Sequence, residues 1–341
     1  MAYSRRQFLA GASVAASGLL FGSNPLAAQA FDEKALVEKA KAEGKVRLYN
    51  GTNFTVVKDV AQKFEKKYGI PVQLLDGRAS EIRERIRAEQ ASGRYLADMT
   101  YSGLTTLTRQ HQEGTFQAAG EIPNAANLEP HLAGSKVIIP NMMGTFAILV
   151  NRSLVPPEDE PKTWSDLLNP KWAGKILSDD PRALGAGNVW FEVLFKAQGR
   201  EFHDKMAAQK PVFSRAFAEN QRRLARGEFA IYIPFNVSEY VKIKELPVKL
   251  VLPEDGLPYV PFALAILKNA PSPNAARLFM NYTLEPEAQS IFGTQGFRPG
   301  VKNMAENIPA DLRPIAAHKL LGSTAVDRQE AMLALANEIY K

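Results

Sequence analysis

The residues that could carry metal or nucleophilic chemistry in this chain are few, and their types exclude several kinds of site. The 341 residues contain no cysteine and only four histidines, at positions 111, 131, 203 and 318. The lack of cysteine excludes disulfides, cysteine-ligated iron–sulfur clusters, thioether-linked haem and a cysteine nucleophile. The histidines are not paired at metal-ligand spacing, so a histidine-based zinc or copper site is not predicted, whereas a carboxylate or tyrosinate metal site stays open. We expect no resident cofactor.

The motifs of common enzyme classes are also missing from the sequence. There is no G-x-S-x-G, no H-E-x-x-H and no G-x-G-x-x-G, which are signatures of hydrolases, metalloproteases and dinucleotide enzymes. Asp179 and Asp180 form a carboxylate pair, but adjacent residues of a strand point to opposite faces, so a turn is favoured over a shared acid–base site. We predict that the protein is not an enzyme, and a periplasmic enzyme is the alternative class.

Binding residues are predicted where strands end. Apolar runs over 46–50, 71–75 and 97–101 read as strands, and they alternate with amphipathic helices that begin near Thr55 and at Ser80. This pattern predicts an α/β fold that opens with three parallel strands. Ligands of open α/β sheets bind outside the carboxyl ends of the strands, and N–H groups at helix starts bind anionic or polar atoms.

The three loops at these strand ends supply the first candidate ligand-binding residues. They are Thr52, Asn53, Arg78, Ser102 and Gly103. Each loop taken alone is a good turn or helix cap, but three such loops in register favour a binding site.

The first thirty residues predict export. Twin arginines lie between Ser4 and Leu9, an acid-free apolar stretch runs from Ala10 to Leu26, and Ala28-Gln29-Ala30 follows. This order predicts a Tat-type signal peptide over 1–30, with an uncut signal anchor as the alternative. The stretch is too short and too weakly apolar to span a bilayer stably. We expect a soluble periplasmic protein that starts at Phe31.

The net charge and the hydrophobic pattern of the sequence argue against nucleic acid and against a second copy of the chain as partners. The formal net charge is only +6 and no block of five like charges exists, so binding to nucleic acid is not predicted. No heptad repeat or long apolar surface stripe is present, so a monomer is expected.

Five segments in order resemble the bacterial extracellular solute-binding proteins of ABC importers. They are residues 46–51 with 64–72, 161–176 (PKTWSDLLNPKWAGKI), 180–182 (DPR), 227–231 (GEFAI) and 274–297. The similarity is greatest to the branch that includes binding proteins for ferric iron, thiamine, phosphonates and sugar phosphates. The segment 161–176 is specific to this family, and the others are weak when taken alone.

The resemblance implies a type II periplasmic-binding fold, an α/β fold of two lobes joined by two crossover strands. It places the crossovers near 146–150 and 257–264. Lobe one is then expected over 31–145 plus 257–341, and lobe two over 146–256. It also implies capture of a small solute between the lobes and delivery to an ABC permease in the inner membrane, with a ligand sensor as a related alternative.

In one respect the chain departs from the ferric-binding members. Those proteins hold iron with adjacent tyrosines after the Gly-Glu motif, but the corresponding segment here is 233–240, IPFNVSEY. Only Tyr232 and Tyr240 lie near, and they are separated. Ferric iron is a hard cation that prefers anionic oxygens, so direct iron binding through Tyr232 and Tyr240 is the alternative rather than the first hypothesis.

The first hypothesis is a small anionic organic solute. Arg78 and Arg182 would supply guanidinium groups for a carboxylate, phosphate or phosphonate, although each has an acidic neighbour and a structural ion pair is the competing role. Tyr232, Asn236 and Tyr259 are expected to face the cleft, because aromatic and amide groups fix small ligands in such sites.

Overall fold

A computed structural model describes residues 32–52 and 54–341. The predicted signal peptide and the candidate residue Asn53 lie outside the described residues. The strands of the described part are β1 (Val46–Asn50), β2 (Val72–Asp76), β3 (Met99–Gly103), β4 (Ile138–Asn151), β5 (Ile176–Ser178), β6 (Val212–Phe213), β7 (Ile231–Asn236), β8 (Val248–Val251), β9 (Leu257–Ile266), β10 (Arg298–Pro299) and β11 (Leu320–Gly322). The α-helices are α1 (Glu33–Glu43), α2 (Thr55–Tyr68), α3 (Ala79–Ala91), α4 (Leu104–Gln112), α5 (Ala186–Ala208), α6 (Phe217–Ala225), α7 (Tyr240–Ile243), α8 (Pro273–Tyr282), α9 (Pro286–Thr294), α10 (Arg313–Ala317) and α11 (Gln329–Ile339).

The first sheet has the parallel opening that the sequence predicts. β1 lies between β2 and β3 and is parallel to both. β9 then pairs antiparallel with β3, and β4 pairs antiparallel with β9. This order puts the carboxyl ends of β1, β2 and β3 side by side, which positions the three polar loops.

The helix after β1 follows directly from its sequence. Val56, Val57, Val60 and Phe64 are buried at helical spacing, which fixes the face of α2 that packs against the sheet. Gly69 ends the helix with φ at 71° and donates its N–H to the carbonyl of Glu65, a left-handed position that suits glycine. The next helix, α3, begins at Ala79 with Arg78 in the cap position, so the prediction of Ser80 as the cap is wrong. The Glu81 side chain accepts the Arg78 N–H and so fixes that start.

β4 connects the two halves of the sheet system. Its first part, Ile138–Thr145, pairs with β9, and its second part, Phe146–Asn151, pairs with β7 and β8. All fourteen of its residues are buried. The exchange of partners between Thr145 and Phe146 is the geometry expected of a crossover strand.

The second part of the sheet carries its own core. β7, β5 and β6 continue from β4, and one face is covered by a cluster that includes Trp164, Trp172 and Trp190. The same cluster contains Met332, Ala336 and Tyr340 of the C-terminal segment. Helix α11 therefore packs with residues of 146–256, and the division of the chain into lobes at 145/146 and 256/257 stays a prediction.

Candidate functional site

The three loops at the ends of β1, β2 and β3 are bonded to one another. The Gly51 N–H donates to the Tyr101 carbonyl at 2.8 Å, and the Gly77 N–H donates to the Asn50 carbonyl at 3.1 Å. The Asn50 amide also donates to the Asp76 carboxylate at 2.7 Å. A Cβ at position 51 would lie 3.2 Å from the Ala79 Cα, so glycine permits this close approach of the loops.

Thr52 is held in place by the buried Asn50. The Asn50 Oδ1 accepts the Thr52 N–H at 3.1 Å and the Thr52 hydroxyl at 2.7 Å. The Thr52 Oγ1 in turn accepts the Phe54 N–H at 3.2 Å. Because the hydroxyl has one proton and donates it to Asn50, Thr52 can offer a ligand only an acceptor lone pair.

Arg78 stands at the edge of these loops with its guanidinium in solvent. Its side chain is 81% exposed, and its ion pair with Glu81 is long, at 3.9 Å. An exposed pair of this length contributes little stability. The guanidinium is therefore available to an anionic ligand.

Ser102 and Gly103 end the third strand. Ser102 is buried, and Gly103 is opposite Phe262 of β9. Gly103 occupies the cap position of α4 without a side-chain cap bond from the described residues. A cavity of about 310 Å³ opens beside this helix start, between α4 and the segment 323–327.

Phe54 is a site residue that the sequence reasoning missed. Its half-buried ring lies 4.9 Å from the ring of Phe262 and 4.9 Å from the ring of Phe297, measured between centroids. We refer to Phe54, Phe262 and Phe297 as the aromatic triad. A phenylalanine at a helix cap, where Ser, Thr, Asp and Asn are preferred, is the signal that would have singled out Phe54.

Asn236 comes to the same region from the second part of the sheet. Its Oδ1 accepts the N–H of Ser238 at 3.2 Å and the Ser238 hydroxyl at 2.9 Å. A Cβ at Gly296 would lie 3.1 Å from the Ser238 Cα, and Phe297 of the triad is the next residue. Ser238 thus lies between Asn236 and the loop of Gly296 that precedes Phe297.

Arg182 does not face a ligand, because it is engaged within the protein. Its Nε and Nη2 donate to the Asp180 carboxylate at 2.8 and 3.0 Å, and its Nη1 donates to the Tyr340 carbonyl at 3.1 Å. The guanidinium also lies 4.8 Å from the centroid of the Phe213 ring. These contacts are those of a structural ion pair, which was the alternative to ligand binding for Arg182. They also hold the C-terminal segment in place.

Tyr232 and Tyr240 pack in one apolar cluster with Leu149, Leu177 and Phe235. Tyr232 is fully buried, and its hydroxyl has no hydrogen-bond partner among the described residues. Burial raises the pKa of Tyr232, which opposes the tyrosinate form that ferric iron requires. Within residues 32–52 and 54–341 there is also no group of three His, Asp or Glu residues that could hold a metal.

Tyr259 lies with a different set of side chains. Its ring is 5.6 Å from the His131 ring, and it is opposite Thr145, where β4 exchanges partners. Burial raises the pKa of Tyr259, and the nearby Arg298 opposes that shift. The structure therefore brings together Thr52, Arg78, Ser102 and Gly103 at the ends of β1, β2 and β3. It places Asn236 beside Ser238 at the end of β7, and Arg182, Tyr232 and Tyr259 in other surroundings.

Comparisons with known proteins agree with this fold. An uncharacterized protein of Haemophilus influenzae is 23% identical over 277 residues, which are 77% of this chain and 79% of that protein. Iron-bound HitA of Pseudomonas aeruginosa superposes with a TM-score of 0.68 at 24% identity, over 86% of this chain and 99% of that one. The Trichodesmium protein IdiA (FutA), solved with iron and citrate ligands, gives 0.74 at 21% identity, over 87% and 100%. At these identities the structural likeness shows the two-lobed type II periplasmic-binding fold.

A local match concerns iron uptake protein A1 of Synechocystis. It is 28% identical over 137 residues, which are 39% of this chain and 36% of that protein. This chain thus matches only about a third of the length of that relative.

No helix within the described residues is long and apolar enough to cross a membrane.

The family model of bacterial extracellular solute-binding proteins matches residues 96–316, which is more than half of the chain. The members of this family bind solutes for ABC transport and are not enzymes, in agreement with the sequence prediction. The chain therefore belongs to the family of bacterial extracellular solute-binding proteins.

Proposed function

We propose that this protein is the periplasmic component of an ABC importer that captures a small organic anion between two lobes and delivers it to an inner-membrane permease. The observation that carries the proposal is Arg78, whose side chain is 81% exposed at the edge of the three polar loops. Guanidinium groups bind carboxylate and phosphate oxygens through paired hydrogen bonds. We infer that the protein acts as a monomer after export.

Capture needs a change in shape rather than a chemical step. Residues 31–145 with 257–341 form one proposed lobe, and residues 146–256 form the other. β4 exchanges sheet partners between Thr145 and Phe146, so a bend there would move one lobe against the other. A solute that contacts both lobes only in the closed state shifts the population toward closure.

Ferric iron is the second candidate ligand, because several relatives carry iron in their names or bound states. The local chemistry does not favour it as a bare ion. The two nearest tyrosines, Tyr232 and Tyr240, lie in an apolar core. Ferric iron prefers several anionic oxygens, and within residues 32–52 and 54–341 no three His, Asp or Glu side chains are grouped so that they could hold a metal.

A thermal-shift screen separates the two ligands. The exported protein is stripped with a chelator and then challenged with ferric citrate, phosphonates, sugar phosphates, carboxylates, thiamine and polyamines. Because a ligand that binds the folded state raises the melting temperature, an organic anion that acts in the presence of chelator supports the proposal. A shift with ferric iron alone, accompanied by the colour of a tyrosinate complex, contradicts it.

A further inference from the structure

We propose that the captured anion carries an aromatic or flat apolar body, and that Phe54 is the residue that selects it. This inference rests on the proposed function and adds the chemical class of the solute. It is argued from the cap of α2, from the aromatic triad, and from the neighbours of each ring.

The first observation is that Phe54 occupies a position where another residue type would stabilise the helix. It is the cap residue of α2, with φ −78° and ψ 123°, and no side-chain bond from it caps the helix. A Ser, Thr, Asp or Asn at such a position would cap the helix and stabilise it. Residues that break a local rule of this kind are concentrated at functional sites.

The second observation is the position of the ring. Phe54 lies edge-on to Phe262, with an interplanar angle of 78°, and is tilted by 56° against Phe297. Phe297 is 5% exposed, whereas Phe54 and Phe262 remain half-buried. The two half-buried members of the triad, Phe54 and Phe262, thus keep part of their surface accessible to a ligand.

The third observation is which backbone segments carry the partners of Phe54. Phe262 is opposite Gly103, at the end of β3. Phe297 follows Gly296, which packs against Ser238 beside Asn236. Phe54 is itself bonded through its N–H to Thr52. Phe54 is therefore bonded to Thr52, and its two ring partners adjoin Gly103 on one side and the loop next to Ser238 on the other.

The chemistry of these groups selects an organic molecule with two distinct parts. Arg78 can donate hydrogen bonds to the anionic group. Contact between a half-buried phenylalanine ring and an aromatic or apolar body removes apolar surface from water, which favours binding. A bare ferric ion or a fully hydrated inorganic anion would gain nothing from the triad. An aryl carboxylate, aryl phosphate or aryl phosphonate would use both parts.

The test uses calorimetry to compare the affinities of matched probes for the exported protein after treatment with a chelator. The pairs are phenylphosphonate and methylphosphonate, benzoate and acetate, and phenyl phosphate and methyl phosphate. We expect the phenyl member of at least one pair to bind at least about tenfold more tightly, since tenfold corresponds to about 1.4 kcal/mol of ring contact. Phe54→Ala should bring the ratio of phenyl to methyl affinity close to one, and Phe54→Leu should keep part of the preference.

Phe195→Ala is the matched control. Phe195 is also a half-buried ring, but it stacks on Phe191 and His203 in α5. Its loss should leave the ratio of phenyl to methyl affinity unchanged. The melting temperature of each variant shows that the fold is intact.

The outcomes separate the inference from the function beneath it. Equal binding of phenyl and methyl probes, or a phenyl preference that survives in Phe54→Ala, overturns the inference and leaves the proposed function in place. Binding of ferric iron alone, or of no organic anion in the thermal-shift screen, overturns the proposed function and the inference with it.

Discussion

At the scale of single residues, Arg78 and Arg182 have similar sequence surroundings but different contacts. Asp180 and the Tyr340 carbonyl engage Arg182 at hydrogen-bond distance, whereas Glu81 is 3.9 Å from Arg78. Both arginines have acidic neighbours in the sequence, so a structural ion pair was an alternative role for each. The carboxylates separate them, because Asp180 accepts hydrogen bonds from the Arg182 guanidinium, whereas Glu81 accepts the backbone N–H of Arg78 and leaves its guanidinium free of a short contact.

Arg78→Gln should weaken binding of the organic anion without loss of stability. A hydrogen bond to a charged group contributes about 1.5–3 kcal/mol, so the affinity should fall roughly 10- to 100-fold. Arg87→Gln is the matched control, because Arg87 is 71% exposed on the same helix and pairs with Glu84. Calorimetric affinities that are equal for the two variants would show that Arg78 does not contact the solute.

His203 is a buried neutral histidine, and it should make stability depend on pH. Its Nε2 donates to the Phe191 carbonyl at 3.0 Å, so its Nδ1 accepts the Tyr340 hydroxyl at 2.8 Å. Burial lowers the pKa of His203 to about 3. Since the unfolded histidine titrates near 6.5, the unfolded state binds a proton below that pH while the native state does not. The contribution to stability is therefore lost progressively as pH falls from about 6.5 toward 3.

Between pH 6.5 and pH 5 this effect should lower the free energy of unfolding by about 2 kcal/mol. His203→Gln should remove that part of the pH dependence, although it lowers stability overall. His111→Gln, at an exposed position, should keep the slope of the parent protein. Denaturant unfolding across this pH range tests the expectation, and the same slope in His203→Gln would contradict it.

At the scale of elements, the amphipathic helices and parallel strands follow from local pattern, but the long strand does not. The family resemblance implied a crossover near 146–150, and β4 does exchange its partners at Thr145 and Phe146. The strand itself, however, starts earlier than predicted, at Ile138. Pro140 lies inside its first part, at a shift of register in the pairing with β9. Proline interrupts a local strand pattern, and only the tertiary pairing on both sides maintains the strand there. The short strand β11, which pairs with β9, was likewise missed because its three residues carry no periodic signal.

The turn from β5 to α5 depends on a glycine. A Cβ at Gly187 would lie 2.6 Å from the Asp179 carbonyl oxygen and 2.7 Å from the Asp180 carbonyl oxygen. Gly187→Ala should therefore lower the free energy of unfolding by about 1–3 kcal/mol, as overpacking does. A Cβ at Gly103 would lie 3.7 Å from Val260 Cγ1, an ordinary contact. Gly103→Ala should therefore lower the free energy of unfolding by less than about 1 kcal/mol. Equal denaturation midpoints for the two variants would count against this description of the turn.

At the scale of the whole molecule, family and fold could be predicted from the sequence, but the composition of the site could be predicted only in part. The ordered segments from 46 to 297 implied the two-lobed fold, and the family match over 96–316 agrees with it. Thr52 and Arg78 lie near each other because the carboxyl ends of the parallel strands β1 and β2 meet at one edge of the sheet. The burial of Tyr232 could not be predicted from the sequence, because either face of a strand can face the core, and here its side chain packs with Leu224 of α6.

Lobe closure should be visible as a change in overall size. The radius of gyration from small-angle X-ray scattering should decrease when an organic anion identified in the thermal-shift screen is added, because closure brings the two lobes together. The Arg78→Gln variant at the same anion concentration should remain nearer the ligand-free value. An unchanged radius of gyration at a saturating concentration of the anion would contradict capture between the lobes.

The most direct test of the central claim is a calorimetric titration of the chelator-treated, exported protein with that anion, with and without an iron chelator in the cell. Our account predicts the same dissociation constant in both conditions and a loss of affinity of roughly 10- to 100-fold in Arg78→Gln. Binding that requires added ferric iron, and that is unaffected by Arg78→Gln, would contradict the claim that the solute is an organic anion.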